Sequence, residues 1–398
     1  GAKRVFIIAI VVFMAGSLAC AVADSLGEFV GARFLQGMGG SMMTPVARLV
    51  LVRATERSRL VEALAWLTIP ALVGPMVGPP IGGFLTTYVT WHWIFLINIP
   101  IGLIGIAFSL AYLPSMPGHE NGRFDTTGFI LSGLAASGIV FGLSVVSLPA
   151  LPLLYGVLSV AAGIGCIVLY WLHTKRKAKP LLDPKLFRIT TFRASIVSAS
   201  LARLGIGATP FLLPLMLQIG FGLTAFESGM VTFVGAIGAL VVKFATMRIY
   251  ARFGFKRVLV TMIGLSALFL MAMTVFSPAL PFAVIYSILL FNGFVRSLMF
   301  TGFNALVFAD VEQEEAGPVT AIAAVFQQVS LALGVAVAGV LVEASLWWRG
   351  GDLGLADFQF AFFCVGIITA LGILPILRLH AFAGSEVSGH GKTRDDQV

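Results

Sequence analysis

Four basic side chains, Arg33, Arg203, Lys243 and Arg296, lie in stretches that are otherwise almost wholly apolar. A cation at hydrocarbon depth is costly unless it faces a water-filled cavity or a partner, or snorkels back to the headgroups. No acid sits in the middle of these stretches to pair with them. Asp24, Glu28, Glu227 and Glu343 fall near one set of ends, and Asp125 and Asp310 near the other. Arg33 opens the run Arg33-Phe34-Leu35-Gln36-Gly37-Met38-Gly39-Gly40, in which Arg33, Gln36, Gly37 and Gly40 share a helical face. Snorkelling is one account of Arg33, and it is the favoured one for Lys243, five residues before Arg248. Arg203 and Arg296 lie deeper, where a cavity-facing role and a structural one fit equally. Amides accompany the cations: Gln218 at a helix end, Asn292 and Asn304 on either side of Arg296, and Gln327 beside Gln328. They either touch a polar substrate or bond between helices. This inventory can hold and pass polar groups but has no means of breaking covalent bonds. His92, His119, His173, His380 and His390 fall in loops or at ends, and there is no metal-ligand spacing, phosphate-binding glycine loop or nucleophile elbow. The expectation is therefore no enzyme, no metal and no cofactor, with Arg33, Gln36, Arg203, Gln218, Asn292, Arg296, Asn304 and Gln327 as candidate translocation residues.

The elements that must position these residues are long apolar helices. Of 398 residues, 58% are hydrophobic and only 11% charged, far below the quarter usual in soluble domains. Twelve runs are long enough to cross a bilayer: about 6–23, 29–50, 63–88, 92–113, 126–147, 151–172, 192–217, 227–248, 257–277, 281–308, 318–342 and 358–379. A transmembrane barrel would show short alternating segments instead. Cys20, Cys166 and Cys364 fall in separate runs and read as small core residues. With the start of the chain in the cytosol, nearly all the basic loop residues fall inside, and Arg349 alone falls outside. That asymmetry also accounts for the net charge of +8 without a nucleic-acid partner. Trp91, Trp93, Trp347 and Trp348 sit at the outer interface.

One run is unusual. In Gly74-Pro75-Met76-Val77-Gly78-Pro79-Pro80-Ile81-Gly82-Gly83, the glycines 74, 78 and 82 form a flat stripe, flanked by Pro75, Pro79 and Gly83. Such a stripe lets a second helix approach backbone to backbone, while the prolines bend the helix. It is either a packing face or the seam between two moving halves. There is also an internal repeat: Gly1-Ala2-Lys3-Arg4-Val5 recurs as Gly254-Phe255-Lys256-Arg257-Val258, each copy ahead of an outward span. Six spans accompany the second copy, 192–379, but only the four of 6–113 accompany the first. If the halves are repeats, two spans precede the first copy, and 126–172 is an inserted hairpin. Without those two spans, Arg33 and Gln36 would be left poorly satisfied. The expected organisation is an N-terminal bundle 1–113, a hairpin region 114–172, a basic linker 173–191, a C-terminal six-helix bundle 192–380 and a cytosolic tail 381–398.

These stretches together resemble the major facilitator superfamily, and several resemble its fourteen-span drug:proton antiporters of the EmrB/QacA type. The first repeat copy looks like the tail of the superfamily's loop motif between spans two and three, and the Arg33 run is similar to its span-four arginine motif. Gly74 to Gly83 resembles the span-five antiporter motif. Trp91-His92-Trp93-Ile94-Phe95-Leu96-Ile97-Asn98-Ile99-Pro100-Ile101-Gly102 resembles the start of span six in that branch. Arg123-Phe124-Asp125 is similar to the start of its hairpin, and Pro180-Leu181-Leu182-Asp183 with Leu186-Phe187 to its lead into the second half. The resemblance implies an all-α polytopic membrane protein with two pseudo-symmetric bundles, lacking the family's first two spans. It implies Lys3, Arg4, Gly254, Lys256 and Arg257 as cytosolic gating residues. It implies export of small amphiphilic compounds, drugs or toxic weak acids, driven by the proton gradient from the bacterial inner membrane, with both chain ends cytosolic. The partners it implies are the lipid bilayer, the substrate and protons, and, in a Gram-negative cell, a periplasmic adaptor and an outer-membrane channel. The second loop copy lacks the family's aspartate, so no proton-carrying carboxylate is named. The alternative is a truncated or degenerate protein of the same fold that transports nothing.

Overall fold

The computed structural model describes residues 2–54, 74, 77–113, 125–146, 152–177, 180–311 and 316–385. In chain order the helices are α1 (Ala2–Ala21), α2 (Leu26–Ala54), α3 (77–88), the single turn α4 (Trp93–Leu96) and α5 (Asn98–Tyr112). Then follow α6 (Thr126–Val146), α7 (Leu153–Thr174), α8 (Thr190–Leu215), α9 (Ala225–Val241) and α10 (Lys243–Ala272). The last are α11 (Phe282–Leu306), α12 (Ala316–Arg349), α13 (Leu355–Leu371) and α14 (Ile373–Leu377). Among the described residues there is no strand, and nine helical segments are long and apolar enough to cross a membrane. α9 is a shorter apolar helix, and most of the expected span 63–88 lies outside the described residues.

The chain divides into two compact units, Gly1–Arg123 with Thr224–Phe233, and Phe124–Leu223 with Val234–Val398. In the first unit α1 and α2 cross where neither has a side chain in the way. A Cβ at Gly16 would strike the Gln36 backbone, and one at Gly39 would strike the Phe13 backbone. Gly39, rather than the Gly37 of the expected face, makes the close approach; Gly37 has no described neighbour there. In the second unit the α6–α7 hairpin closes the same way, with the Gly142 Cβ position 2.6 Å from the Gly156 carbonyl. Gly207 on α8 meets the Leu331 backbone of α12, and Gly293 on α11 meets Gly235 of α9. In lipid, where burial of apolar surface gives no drive to associate, such backbone approach supplies much of the packing.

The eighth and ninth spans are divided at a residue that periodicity alone does not reveal. Val242 keeps helical dihedrals between α9 and α10, whereas Gly254, at φ 74° and ψ 163°, breaks the helical path. Only glycine adopts that conformation without strain, which fixes the turn at the repeated loop sequence. Below it Tyr250, Phe255, Leu259, Ile263, Met299 and Phe303 form one buried cluster. Large side chains such as Phe34, Phe129, Leu154 and Leu268 are exposed, the inside-out surface of a chain solvated by lipid.

Candidate functional site

The first unit carries a hydrogen-bonded polar row. Arg33 donates to Gln36 Oε1, Gln36 Nε2 donates to Ser17 Oγ at 2.7 Å, and Asn98 Nδ2 donates to the same oxygen at 3.3 Å. Ser17 in turn donates to the Phe13 carbonyl at 2.9 Å. The Arg33 guanidinium carbon stands 5.7 Å from the Phe95 ring centroid. Arg33 is exposed while Gln36 and Ser17 are buried. The expectation that Arg33 and Gln36 would be poorly satisfied is therefore corrected: their partners come from their own helix and from α1. Sequence reasoning missed Ser17 and Asn98, although each is a lone polar residue in an apolar run.

Among the described residues, the glycine-proline helix makes its close contacts through Pro79 and Gly83 and not through its stripe. Cβ atoms at Gly74, Gly78 or Gly82 would meet no described residue within 4 Å. One at Gly83 would lie 2.5 Å from the Ala225 carbonyl, and one at Gly229 would lie 2.5 Å from the Pro79 carbonyl. The Phe226 N–H donates to Thr87 Oγ1 at 3.2 Å, and the Phe226 ring meets Phe84 and Tyr88 edge-on. So α3 and the start of α9 touch backbone to backbone, and Gly229 is a partner the sequence did not announce. Pro75 lies outside the described residues.

In the second unit three cations gather on α11. Arg203, only 4% exposed on α8, donates through Nη2 to Asn304 Oδ1 at 3.0 Å, and its guanidinium carbon lies 5.7 Å from the Phe300 centroid. Its Nε has no hydrogen-bond partner among the described residues. Lys243 donates to Thr301 Oγ1 at 2.8 Å, so it is held against α11 where snorkelling is the favoured expectation. Arg296 is half-buried one turn before Phe300. Asn292 is buried with Oδ1 unpartnered among the described residues. Gln218 lies on a five-residue π-helical turn, Met216–Gly220, and Gln327 is half-buried on α12.

At the helix ends that carry the loop repeat, the two copies do the same thing. Lys3 donates to the carbonyls of Leu110 and Leu113 at 3.0 and 2.8 Å, and Lys256 donates to the Leu379 carbonyl at 2.7 Å. Each lysine satisfies carbonyls left over at a helix end. Arg4 and Arg257 are exposed. Asp125 accepts from His173 Nε2 at 2.8 Å, from the Gly128 N–H and from the Leu181 N–H. Burial alone would raise the Asp125 carboxyl, but these hydrogen bonds outweigh it and hold it below its ordinary value. Where α12 ends and α13 begins, Asp357 is fully buried and takes Arg349 Nη2 at 2.5 Å and Ser345 at 2.8 Å.

Many apolar helices of membrane-spanning length, with polar rows at depth, are the architecture of a polytopic membrane protein. The chain belongs to the major facilitator superfamily, whose family model matches residues 1–187 and 195–394. It is thus a member of a transporter family rather than of an enzyme family, and it sits in a lipid bilayer. MdtD of Serratia proteamaculans, by name a multidrug resistance protein, is 32% identical over 392 residues, covering 96% of this chain and 80% of that protein. MdtD of Citrobacter koseri is 36% identical over 395 residues, covering 95% and 81%. Among solved structures, a POT family transporter in complex with 5-aminolevulinic acid superposes with TM-score 0.67 at 15% identity, over 96% of this chain and 82% of that one. The nucleoside transporter NupG gives 0.59 at 14% identity, over 95% and 84%. At such identities these two likenesses concern the fold alone.

Proposed function

We propose that this chain is a proton-coupled secondary transporter of the bacterial inner membrane that exports small amphiphilic compounds by alternating access. The observation that carries the reading is the likeness, along nearly the whole chain, to relatives named for multidrug resistance. Two features of the geometry support it. The α3–α9 contact sets Gly83 and Gly229 against backbone carbonyls, the close approach that a seam between packed helices uses. The lysine straps of the two loop copies repeat one device, as expected of two bundles, 1–113 and 192–380, each with a gating loop at its cytosolic end. On this reading 114–172 is an inserted hairpin, 173–191 a cytosolic linker and 381–398 a cytosolic tail. Arg33, Gln36, Arg203, Gln218, Asn292, Arg296, Asn304 and Gln327 are its translocation residues. In a Gram-negative cell, export would continue through a periplasmic adaptor and an outer-membrane channel. The relatives' names give no support to a non-transporting protein.

The test is uptake into everted membrane vesicles under an imposed pH gradient, with a fluorescent weak acid and a fluorescent cation as cargoes. Accumulation of either that collapses when the gradient is discharged is the expected result. Accumulation that ignores the gradient would rule out proton coupling, and movement of neither cargo would rule out the transport reading.

A further inference from the structure

Arg203, Lys243 and Arg296 place three positive charges against residues 296–304 of α11, inside one compact unit. Asn292, Arg296, Phe300 and Asn304 recur every four residues and so share one face of that helix. Arg203 lies over the Phe300–Asn304 end of the face, and Arg296 precedes Phe300 by one helical turn. Among the described residues no carboxylate pairs with them. The described ion pairs are His173 with Asp125 and Arg349 with Asp357, neither of them on α11. Asp310, the acid nearest in sequence, accepts from Thr191 at 2.8 Å. The end of α11 offers some negative potential, but a helix C-terminus is worth roughly half an elementary charge, against three full charges. Asn304 contributes one neutral acceptor, and the Arg203 Nε–H is left without one among the described residues. A guanidinium this deeply buried is normally paired through several of its five donors.

We infer that this face of α11 binds the anionic headgroup of an amphiphile, a carboxylate or sulfonate. Arg203 and Arg296 contact the headgroup, Lys243 adds to the potential, and Phe300 lies against the first apolar atoms. A carboxylate between the two arginines would engage Arg203 Nε and replace water with a charge-assisted bond. An organic cation of the same shape would meet like charge. That the anion is cargo rests on the transport reading above; the binding itself does not.

The experiment is equilibrium binding of 4-phenylbutyrate and of 4-phenylbutylammonium, matched in size and both charged at pH 7. The chain is held in lipid nanodiscs, with empty nanodiscs as the partition blank. Wild-type protein is expected to bind the carboxylate about tenfold or more tighter than the ammonium. Arg203→Gln and Arg296→Gln are expected to weaken the carboxylate several-fold without weakening the ammonium, while Arg203→Lys retains part of the affinity. Equal binding of the two probes by wild type, which needs no variant to fold, would overturn the inference. So would an absence of saturable carboxylate binding, or carboxylate affinity unmoved in both glutamine variants. A chain that binds the carboxylate with this selectivity yet moves nothing in vesicles would sink the transport reading and leave the site standing.

Discussion

Ser17 joins three helices with one oxygen: it donates to Phe13 and accepts from Gln36 and Asn98. Ser17→Ala leaves both amides short of an acceptor at hydrocarbon depth. The expected loss is about 1 kcal/mol, the order found for interhelical hydrogen bonds in membranes, seen as a lower midpoint of thermal unfolding in detergent. An unchanged midpoint in a well-expressed variant would show that water replaces the contact. Asp125 makes a different prediction, because it lies ahead of the span and titrates. Its carboxyl is held below the ordinary value, so the stability it adds is complete above the unfolded value of about 3.9 and is lost only as pH falls through the lower folded one. Protection of the Leu181 amide from hydrogen exchange should therefore stay constant from neutral pH down to about pH 5. Asp125→Ala should remove that protection at neutral pH. A wild-type loss of protection between pH 7 and 6 would show that the Asp125 carboxylate is not what holds the Leu181 amide.

At the scale of elements, the α3–α9 crossing invites a direct comparison of glycines. Gly83→Leu and Gly229→Leu would each drive a side chain into a backbone carbonyl and should abolish transport while the protein still reaches the membrane. Gly78→Leu, with no described neighbour within 4 Å, should be tolerated in the folded state. Equal loss of activity in all three would return the seam to the Gly74–Gly78–Gly82 stripe. The apolar helices and most of their approximate spans were legible because hydrophobic length is local. What was not legible is which face has a partner. A four-residue repeat says which residues lie side by side, and nothing about the neighbour that meets them. Gly83 meets Ala225 and Gly229 meets Pro79 across a long stretch of chain, with no residue pattern linking either pair. The same limit explains Gly39 in place of Gly37, and Lys243 held by Thr301 when its position near a helix end suggested snorkelling. The turn at Gly254 was marked by the loop repeat but not by hydropathy, since Val242 and the residues after it stay helical.

For the molecule as a whole, the lysine straps give a matched pair of tests. Lys3→Ala and Lys256→Ala each remove charge-assisted bonds to carbonyls at the end of a helix, a loss of about 0.5–1 kcal/mol. Both variants should slow transport to similar degrees, as two copies of one device would. A large effect from one and none from the other would argue against functional equivalence of the loop copies. Orientation is tested by an impermeant thiol reagent: Trp348→Cys, at an 85% exposed position, should label from outside, and Arg176→Cys only from inside. External labelling at 176 would invert the topology. The Asp125 clamp has a mechanical consequence for this region. Leu181 is tied to Asp125, and the Leu182 backbone both gives to and takes from the Tyr170 hydroxyl, at 2.7 and 3.0 Å. Beyond them Asp183 caps the 3-10 turn Pro184–Arg188, and α8 starts at Thr190. The stretch that composition marks as the chain's longest tether is therefore wound up from residue 180 onward, with almost no slack to pay out. Extra residues inserted between Lys177 and Pro180 would lengthen a rope that is already made fast on the far side. An insertion between Leu182 and Pro184 would slip the knot itself and cut the hairpin loose from the start of α8.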